Sequence, residues 1–113
     1  MGTVINLPDT KAAFECAGVS FEVDLGDVAV RDAYDQAIAE LNGGERTNAE
    51  QSAVLCAFLE AAMGAASYEE LREAARVDTD LAAALAVTVA IAEKMREKGI
   101  EGVNAFLAEE FGI

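Results

Sequence analysis

The segment from Phe14 to Leu25 reads FECAGVSFEVDL, and its alternation of apolar and polar residues decides the fold class. Apolar side chains occupy every second position on both sides of Ala17-Gly18, with polar, mostly acidic residues between them. A period of two is typical of a strand with one buried face. Because Gly18 permits a tight reversal, the segment predicts a β-hairpin with one apolar and one acidic face.

After Gly26 the apolar residues follow helical spacing. Asp27 is the expected N-cap of a first helix, which Asn42-Gly43-Gly44 ends with a glycine in the left-handed conformation. Capping-box patterns at Thr47–Glu50 and Ser67–Glu70 predict the starts of a second and a third helix.

The fourth predicted helix is apolar along most of its length. Asp78-Thr79-Asp80 precedes it, and its body from Leu81 to Ala92 is interrupted only by Thr88. Since this body is apolar on nearly all sides, we expect it to be the central helix of the domain. It is too short to cross a bilayer, which takes about 18 residues or more. A fifth, C-terminal helix is predicted by the amphipathic stripe Val103, Phe106, Leu107 and Phe111.

The sequence therefore predicts an α+β fold that is mostly α, with an N-terminal β-hairpin packed on a bundle of about five helices. We expect a single domain over residues 1–113, with the hairpin region at 1–26 and the helical region at 27–113. Two strands are too few to be stable alone in water, so the apolar face of the hairpin must pack on the helices.

The composition argues against several classes of function. With 21 acidic and 8 basic residues, the net charge of −13 opposes binding to nucleic acid or to an anionic membrane. The chain has no histidine, which is the commonest metal ligand and the usual general base near neutral pH. Two cysteines are too few for an all-thiolate zinc site. We expect no catalytic, metal-binding or cofactor-binding residues, and no enzyme.

Three further features of the sequence point away from a metal site, secretion and a disulfide. Asp78-x-Asp80 opens like a calcium-binding loop, but Ala83 and Val89 stand where such a loop needs glycine and glutamate. The N-terminus lacks the basic and apolar regions of a signal peptide, which indicates a cytoplasmic protein. Cys16 and Cys56 lie in apolar patterns and are expected to be reduced core thiols.

Two surfaces are candidates for binding a protein partner. The edge of the hairpin can accept a strand from a partner. The C-terminal stripe of Val103, Phe106, Leu107 and Phe111 can contact a partner or a second copy of the chain, which leaves a homo-oligomer open. The alternative is that the stripe folds back on its own core. The acidic surface suits a basic partner, or provides solubility alone.

The order of elements resembles small tail proteins of long-tailed phages and prophages. The likeness begins at Val4-Ile5-Asn6-Leu7-Pro8, continues through Phe14 to Leu25, and includes Tyr34-Asp35 in the first helix. The segment from Phe58 to Gly64, followed by Ser67 to Leu71, is similar to the "helix, Gly, short helix" part of tail assembly chaperones.

The resemblance implies a non-enzymatic protein of the bacterial host cytoplasm. Tail assembly chaperones coat the long, helical tape-measure protein before tail-tube subunits polymerise around it, and they leave before the tail is finished. Two alternatives stay open. One is an acidic inhibitor or DNA mimic that binds a basic site on another protein, and the other is a structural tail-completion component.

Overall fold

The computed structural model describes residues 2–5 and 9–98 of the chain. It contains a two-stranded antiparallel hairpin followed by helices, so the α+β, mostly α prediction is confirmed at this level. The elements are β1 (Lys11–Cys16), β2 (Val19–Asp24), α1 (Val28–Asn42), α2 (Asn48–Met63), α3 (Ala65–Ala75) and α4 (Leu81–Glu97). The described residues thus hold four helices rather than about five, and the predicted C-terminal helix lies outside them.

The hairpin has the predicted turn and the predicted division into two faces. Ala17 and Gly18 join the paired strands, and both have positive φ, 52° and 78°. Positive φ at both positions is what a type I′ turn requires, and its twist matches that of the strands. On the inner face Phe21 and Val23 are buried, whereas Glu22 between them is exposed.

Three of the predicted helix starts are confirmed by their hydrogen bonds. The Asp27 side chain accepts from the backbone N–H of Ala29 at the start of α1. At α2, Thr47 and Glu50 form a reciprocal capping box. The Asp80 side chain caps α4 by accepting from its first turn. Each cap satisfies backbone donors that the helix itself leaves without partners.

One predicted helix boundary is wrong, and the predicted end of α1 is confirmed but with a different cap conformation. α3 begins at Ala65, directly after Gly64 with φ 87°, so Ser67 lies inside the helix and none of the described side chains caps its start. Only Gly64 interrupts the helical conformation between α2 and α3, which begins at the next residue. At the end of α1, Gly43 has φ −80° rather than a left-handed conformation. Its N–H bonds to the Glu40 carbonyl at 3.3 Å, a tightened last turn that closes the helix.

The central helix is α2, which corrects the prediction made for the apolar fourth helix. α2 packs against α1, α3, α4 and β2. Its buried residues are Ser52, Leu55, Phe58, Leu59, Ala62 and Met63. The main partner of α4 is α2, and Leu85 and Val89 on its outer side are 42% and 51% exposed. The hairpin rests on α2 and α3 through β2, so it does not cover that outer side.

Side chains of α2 also hold the connection between α3 and α4. Ser52 Oγ donates to the Asp78 carbonyl and Cys56 Sγ to the Val77 carbonyl, both at 3.2 Å. Val77 itself is fully buried. Burial, a hydrogen bond with Cys56 and the nearby carboxylates of Asp78 and Glu60 raise the pKa of the Tyr68 phenol above its ordinary value. These contacts fix the point at which α4 begins.

The open end of the hairpin is closed by Thr10 and Asp24. Thr10 Oγ1 donates to Asp24 Oδ1 at 2.6 Å, and the Gly26 N–H donates to the same oxygen at 3.1 Å. The Leu25 N–H donates to the Thr10 carbonyl at 2.9 Å. The Thr10 hydrogen bond, with help from the Gly26 N–H and the Lys11 charge, lowers the pKa of Asp24 below its usual value.

We predict that Gly26→Ala destabilises the fold. A Cβ at Gly26 would lie 2.7–2.8 Å from three atoms of the Thr10 side chain, so the backbone must shift. We expect a loss of about 1–3 kcal/mol in the free energy of unfolding, measured by urea denaturation. Gly43→Ala is the matched control, because its Cβ would meet only the Ala39 carbonyl at 3.3 Å and the Glu40 carbonyl at 3.5 Å. Equal losses in the two variants would contradict this interpretation.

We predict that the effect of Thr10→Val depends on pH. The pKa of Asp24 is lower in the folded state than its ordinary value of 3.8, which we take for the unfolded chain. The contribution of Asp24 to folding stability is therefore fully present above pH 3.8 and is lost as the pH falls through the folded-state pKa. Thr10→Val should therefore reduce stability at pH 7, and the reduction should become smaller as the pH falls below about 3.8. Urea denaturation of both proteins at pH 7 and at a series of lower pH values measures this. A difference that is constant with pH would argue against the Asp24 bond as its cause.

Candidate functional site: an apolar face and groove on helix α4

A groove separates α4 from the hairpin. It has a volume of about 180 Å³ and is lined by Phe14, Glu15, Cys16, Phe21, Ala86, Val87 and Ala90, of which only Glu15 is charged. The stacked rings of Phe14 and Phe21, with centroids 5.4 Å apart, form the hairpin side. We call this the β1–α4 groove. Small-molecule sites are typically about 300–1,000 Å³, so the groove is suited to a side chain of a partner rather than to a cofactor.

Two contacts set the direction of α4 relative to the hairpin. Near its C-terminal end, Lys98 Nζ donates to the Asp9 carbonyl at 3.2 Å, at the base of β1. Towards its N-terminal half, Ala86 and Ala90 line the groove beside Phe14 and Cys16 at the other end of β1. α4 and β1 therefore run side by side in opposite directions, and the groove lies between them.

The outer side of α4 carries an exposed apolar surface, which we call the α4 face. Its residues are Ala82, Leu85, Ala86 and Val89, all exposed. They follow the spacing i, i+3, i+4, i+7 that lines one side of a helix and forms the seam of a coiled coil. The opposite side is buried against the core, where Thr88 Oγ1 donates to the Ala84 carbonyl at 2.8 Å.

The charges on α4 lie at its two ends. Asp78 and Asp80 precede the helix, and Lys94, Arg96 and Lys98 lie in and after its last turns. Between them, from Leu81 to Ala92, the helix has no ionisable residue. The N-terminal acids and the C-terminal bases follow the helix dipole, which favours anions at the N-terminus and cations at the C-terminus, whereas Glu93 and Glu97 are acids in the last turns. The α4 face is therefore an uncharged band on a chain of net charge −13.

The predicted hairpin edge is also open within the described residues, where no third strand joins the sheet. The Leu25 N–H to Thr10 carbonyl bond marks a hydrogen-bonded pair, and such pairs alternate along antiparallel strands. Counting from that pair, the backbone groups of Lys11, Ala13 and Glu15 point away from β2. They lie at the edge of β1 that is not paired with β2, which is the kind of edge that strand addition uses.

The other predicted site residues and chemistry can now be located. The C-terminal stripe of Val103, Phe106, Leu107 and Phe111 lies outside the described residues. Cys16 and Cys56 are both free and half-buried, Cys16 in the groove and Cys56 against the α3–α4 connection.

In residues 2–5 and 9–98, no three carboxylate or thiol side chains come close enough together to bind a metal ion. None of the helices described has the length and apolarity to span a membrane.

The α4 face is not among the predicted binding surfaces, although a signal for it is present in the sequence. A helix that packs on one neighbour needs one apolar side, whereas Leu81 to Ala92 is apolar on nearly all sides. The additional apolar residues favour the prediction that this helix is buried at the centre of the domain. They equally indicate a second, outward-facing contact surface, and periodicity alone does not distinguish the two.

Comparisons with known proteins add no assignment to these surfaces. A scan against protein-family models, a search of curated proteins and a search of solved structures each find no match to this chain. The roles of the groove, the α4 face and the hairpin edge are therefore argued from their own geometry.

We predict that the α4 face contributes little to the stability of the monomer. Leu85→Glu and Val89→Glu replace exposed side chains, so each should change the free energy of unfolding by no more than about 0.5 kcal/mol. Ile91→Ala, on the fully buried side of the same helix, should cost about 2–5 kcal/mol. Urea denaturation at low protein concentration measures all three. A large loss in either glutamate variant would show that the face is covered within the fold.

Proposed function

We propose that the chain is a non-enzymatic tail assembly chaperone of a phage or prophage, acting in the cytoplasm of the bacterial host. Its client would be the tape-measure protein, bound before the tail tube polymerises. The observation that carries the proposal is the β1–α4 groove, an apolar cleft on a strongly acidic body. A protein that keeps an aggregation-prone client in solution needs this combination of apolar contact and charged exterior.

The groove fits a helical client. It is bounded on one side by α4 and on the other by β1, so an amphipathic helix can lie along it and insert an apolar side chain between Phe14 and Ala90. Helix-in-groove recognition relies on such anchoring side chains at helical spacing. A tape-measure protein is long and helical, so it presents many equivalent anchors to many copies of the chaperone.

The modest size of the groove supports reversible binding. A volume of about 180 Å³ accommodates one anchor, whereas permanent complexes bury extensive apolar interfaces. A chaperone that leaves before the tail is complete needs weak individual contacts. The acidic surface adds solubility to the coated client.

The alternative of an acidic inhibitor or DNA mimic has weaker support. Such a mimic needs carboxylates in a row on one face, but exposed carboxylates lie on all six elements of the described chain. Several are paired locally, as Glu50 is with Arg46, Glu69 with Arg72, and Glu97 with Lys94. This distribution suits a generally solvated acidic surface.

We predict that co-expression with the tape-measure protein of the same phage or prophage genome raises the solubility of that protein and yields a co-purifying complex. Ala90→Glu places a carboxylate in the groove, and a buried unpaired charge opposes an apolar anchor. It should reduce the recovered complex at least about tenfold, as expected for a loss of 1.4 kcal/mol. Ala39→Glu, at an exposed position of α1, is the control that adds the same charge elsewhere.

Two results would overturn the proposal. One is an insoluble tape-measure protein with no complex at low or moderate salt. The other is binding to basic nucleic-acid-binding proteins instead, with an affinity that falls steeply as salt rises, which is the behaviour of a DNA mimic. Mass spectrometry of mature tails separates the chaperone from a tail-completion component, because only the latter stays in the particle.

A further inference from the structure

We propose that the α4 face binds a second copy of the chain through the same face, with the two α4 helices antiparallel, to form a two-fold symmetric dimer. Three features of α4 indicate that its partner is a second copy of the chain: the spacing of its exposed residues, their small size and the distribution of charge along the helix. The dimer does not depend on the proposed chaperone function, and the β1–α4 groove shares only Ala86 with the α4 face.

The spacing of the α4 face gives one consistent antiparallel register. Ala82 and Val89 occupy a positions of a heptad, and Leu85 and the half-buried Ala92 occupy d positions. In antiparallel pairs a positions meet d positions. Leu85 of one copy then packs on Val89 of the other, and Ala82 packs on Ala92 of the other. The two branched residues fill the middle of the contact, and the alanines on either side allow the helices to approach closely.

The charges at the ends of α4 favour the antiparallel orientation. In this register Asp78 and Asp80 of one copy lie beside the turns that carry Lys94, Arg96 and Lys98 of the other. Within one copy Lys94 is paired with Glu97 at 2.9 Å and Asp78 with Arg72 at 3.5 Å. The other charges are Asp80 at one end of the helix and Glu93, Arg96 and Lys98 at the other, so the net charges of the two ends are still opposite. A parallel pair would place each acidic end beside the same acidic end. Antiparallel helix dipoles add to the preference.

Long-range repulsion opposes the dimer, because each copy carries a net charge of −13. The contact itself is uncharged from Leu81 to Ala92, so no ionised side chain has to leave water at its centre. Because charge repulsion opposes apolar contact, we expect a dimer that forms as the protein concentration rises rather than a permanent one. A closed two-fold pair also covers the α4 face in both copies, which prevents open-ended association.

The first test measures mass in solution. Sedimentation equilibrium of the full chain over a wide concentration range should show the mass rising from 11.8 kDa towards twice that value. Leu85→Glu should weaken association at least about tenfold, while Ala39→Glu on the exposed side of α1 should behave like the parent protein. Circular dichroism verifies that each variant is folded. A monomer at every concentration, or a dimer unaffected by Leu85→Glu, would overturn the proposal.

The second test determines the register by cysteine cross-linking in a Cys16→Ala, Cys56→Ser background. In the antiparallel register the two copies of residue 86 are offset by about 3 Å along the helix axis, and the two copies of residue 82 by about 15 Å. Ala86→Cys should therefore form a disulfide dimer under mild oxidation, and Ala82→Cys should not. Efficient cross-linking of Ala82→Cys would instead show a parallel pair and refute the antiparallel arrangement.

Discussion

The structure depends on the packing of α2, which contacts α1, α3, α4 and β2. Its large buried residues, Leu55, Phe58 and Leu59, are each no more than 1% exposed. On the same helix, Ser52 and Cys56 bind the backbone carbonyls of the α3–α4 connection. Hydrophobic burial supplies most of the stabilisation, and these two hydrogen bonds give α4 its starting point. The position of the β1–α4 groove therefore follows from α2, although α2 contributes no residue to it.

Local features of the fold could be predicted from the sequence because they depend on neighbouring residues. The hairpin follows from the alternation around Gly18, and the helix starts at Asp27, Thr47 and Asp80 follow from side chains that accept backbone N–H groups. The predicted start of α3 at Ser67 is wrong because the helix begins directly after Gly64, where the helical conformation of α2 ends. A glycine break and a capping box compete in such a segment, and residue types alone do not rank them.

Which helix lies at the centre could not be predicted, because that depends on contacts between distant segments. Two helices in this chain have wide apolar surfaces, and the prediction placed at the centre the one that is apolar on nearly all sides. The structure instead places α2 there, with Leu55, Phe58 and Leu59 buried among the other elements. The same tertiary arrangement leaves Leu85 and Val89 exposed. The candidate site was therefore visible in the sequence only as an unexplained excess of apolar residues.

The turn of the hairpin has a consequence for the order of folding. An alanine in the left-handed region, as at Ala17, is less stable than glycine or asparagine there by roughly 1 kcal/mol or more. The hairpin is thus a poor nucleus, whereas α1 and α2 are consecutive helices with local contacts that form early. We infer that the helices assemble first and that β1 and β2 pair afterwards on the surface of the helices. Nascent chains would then pass through a stage in which α2 still lacks the cover of Phe21 and Val23.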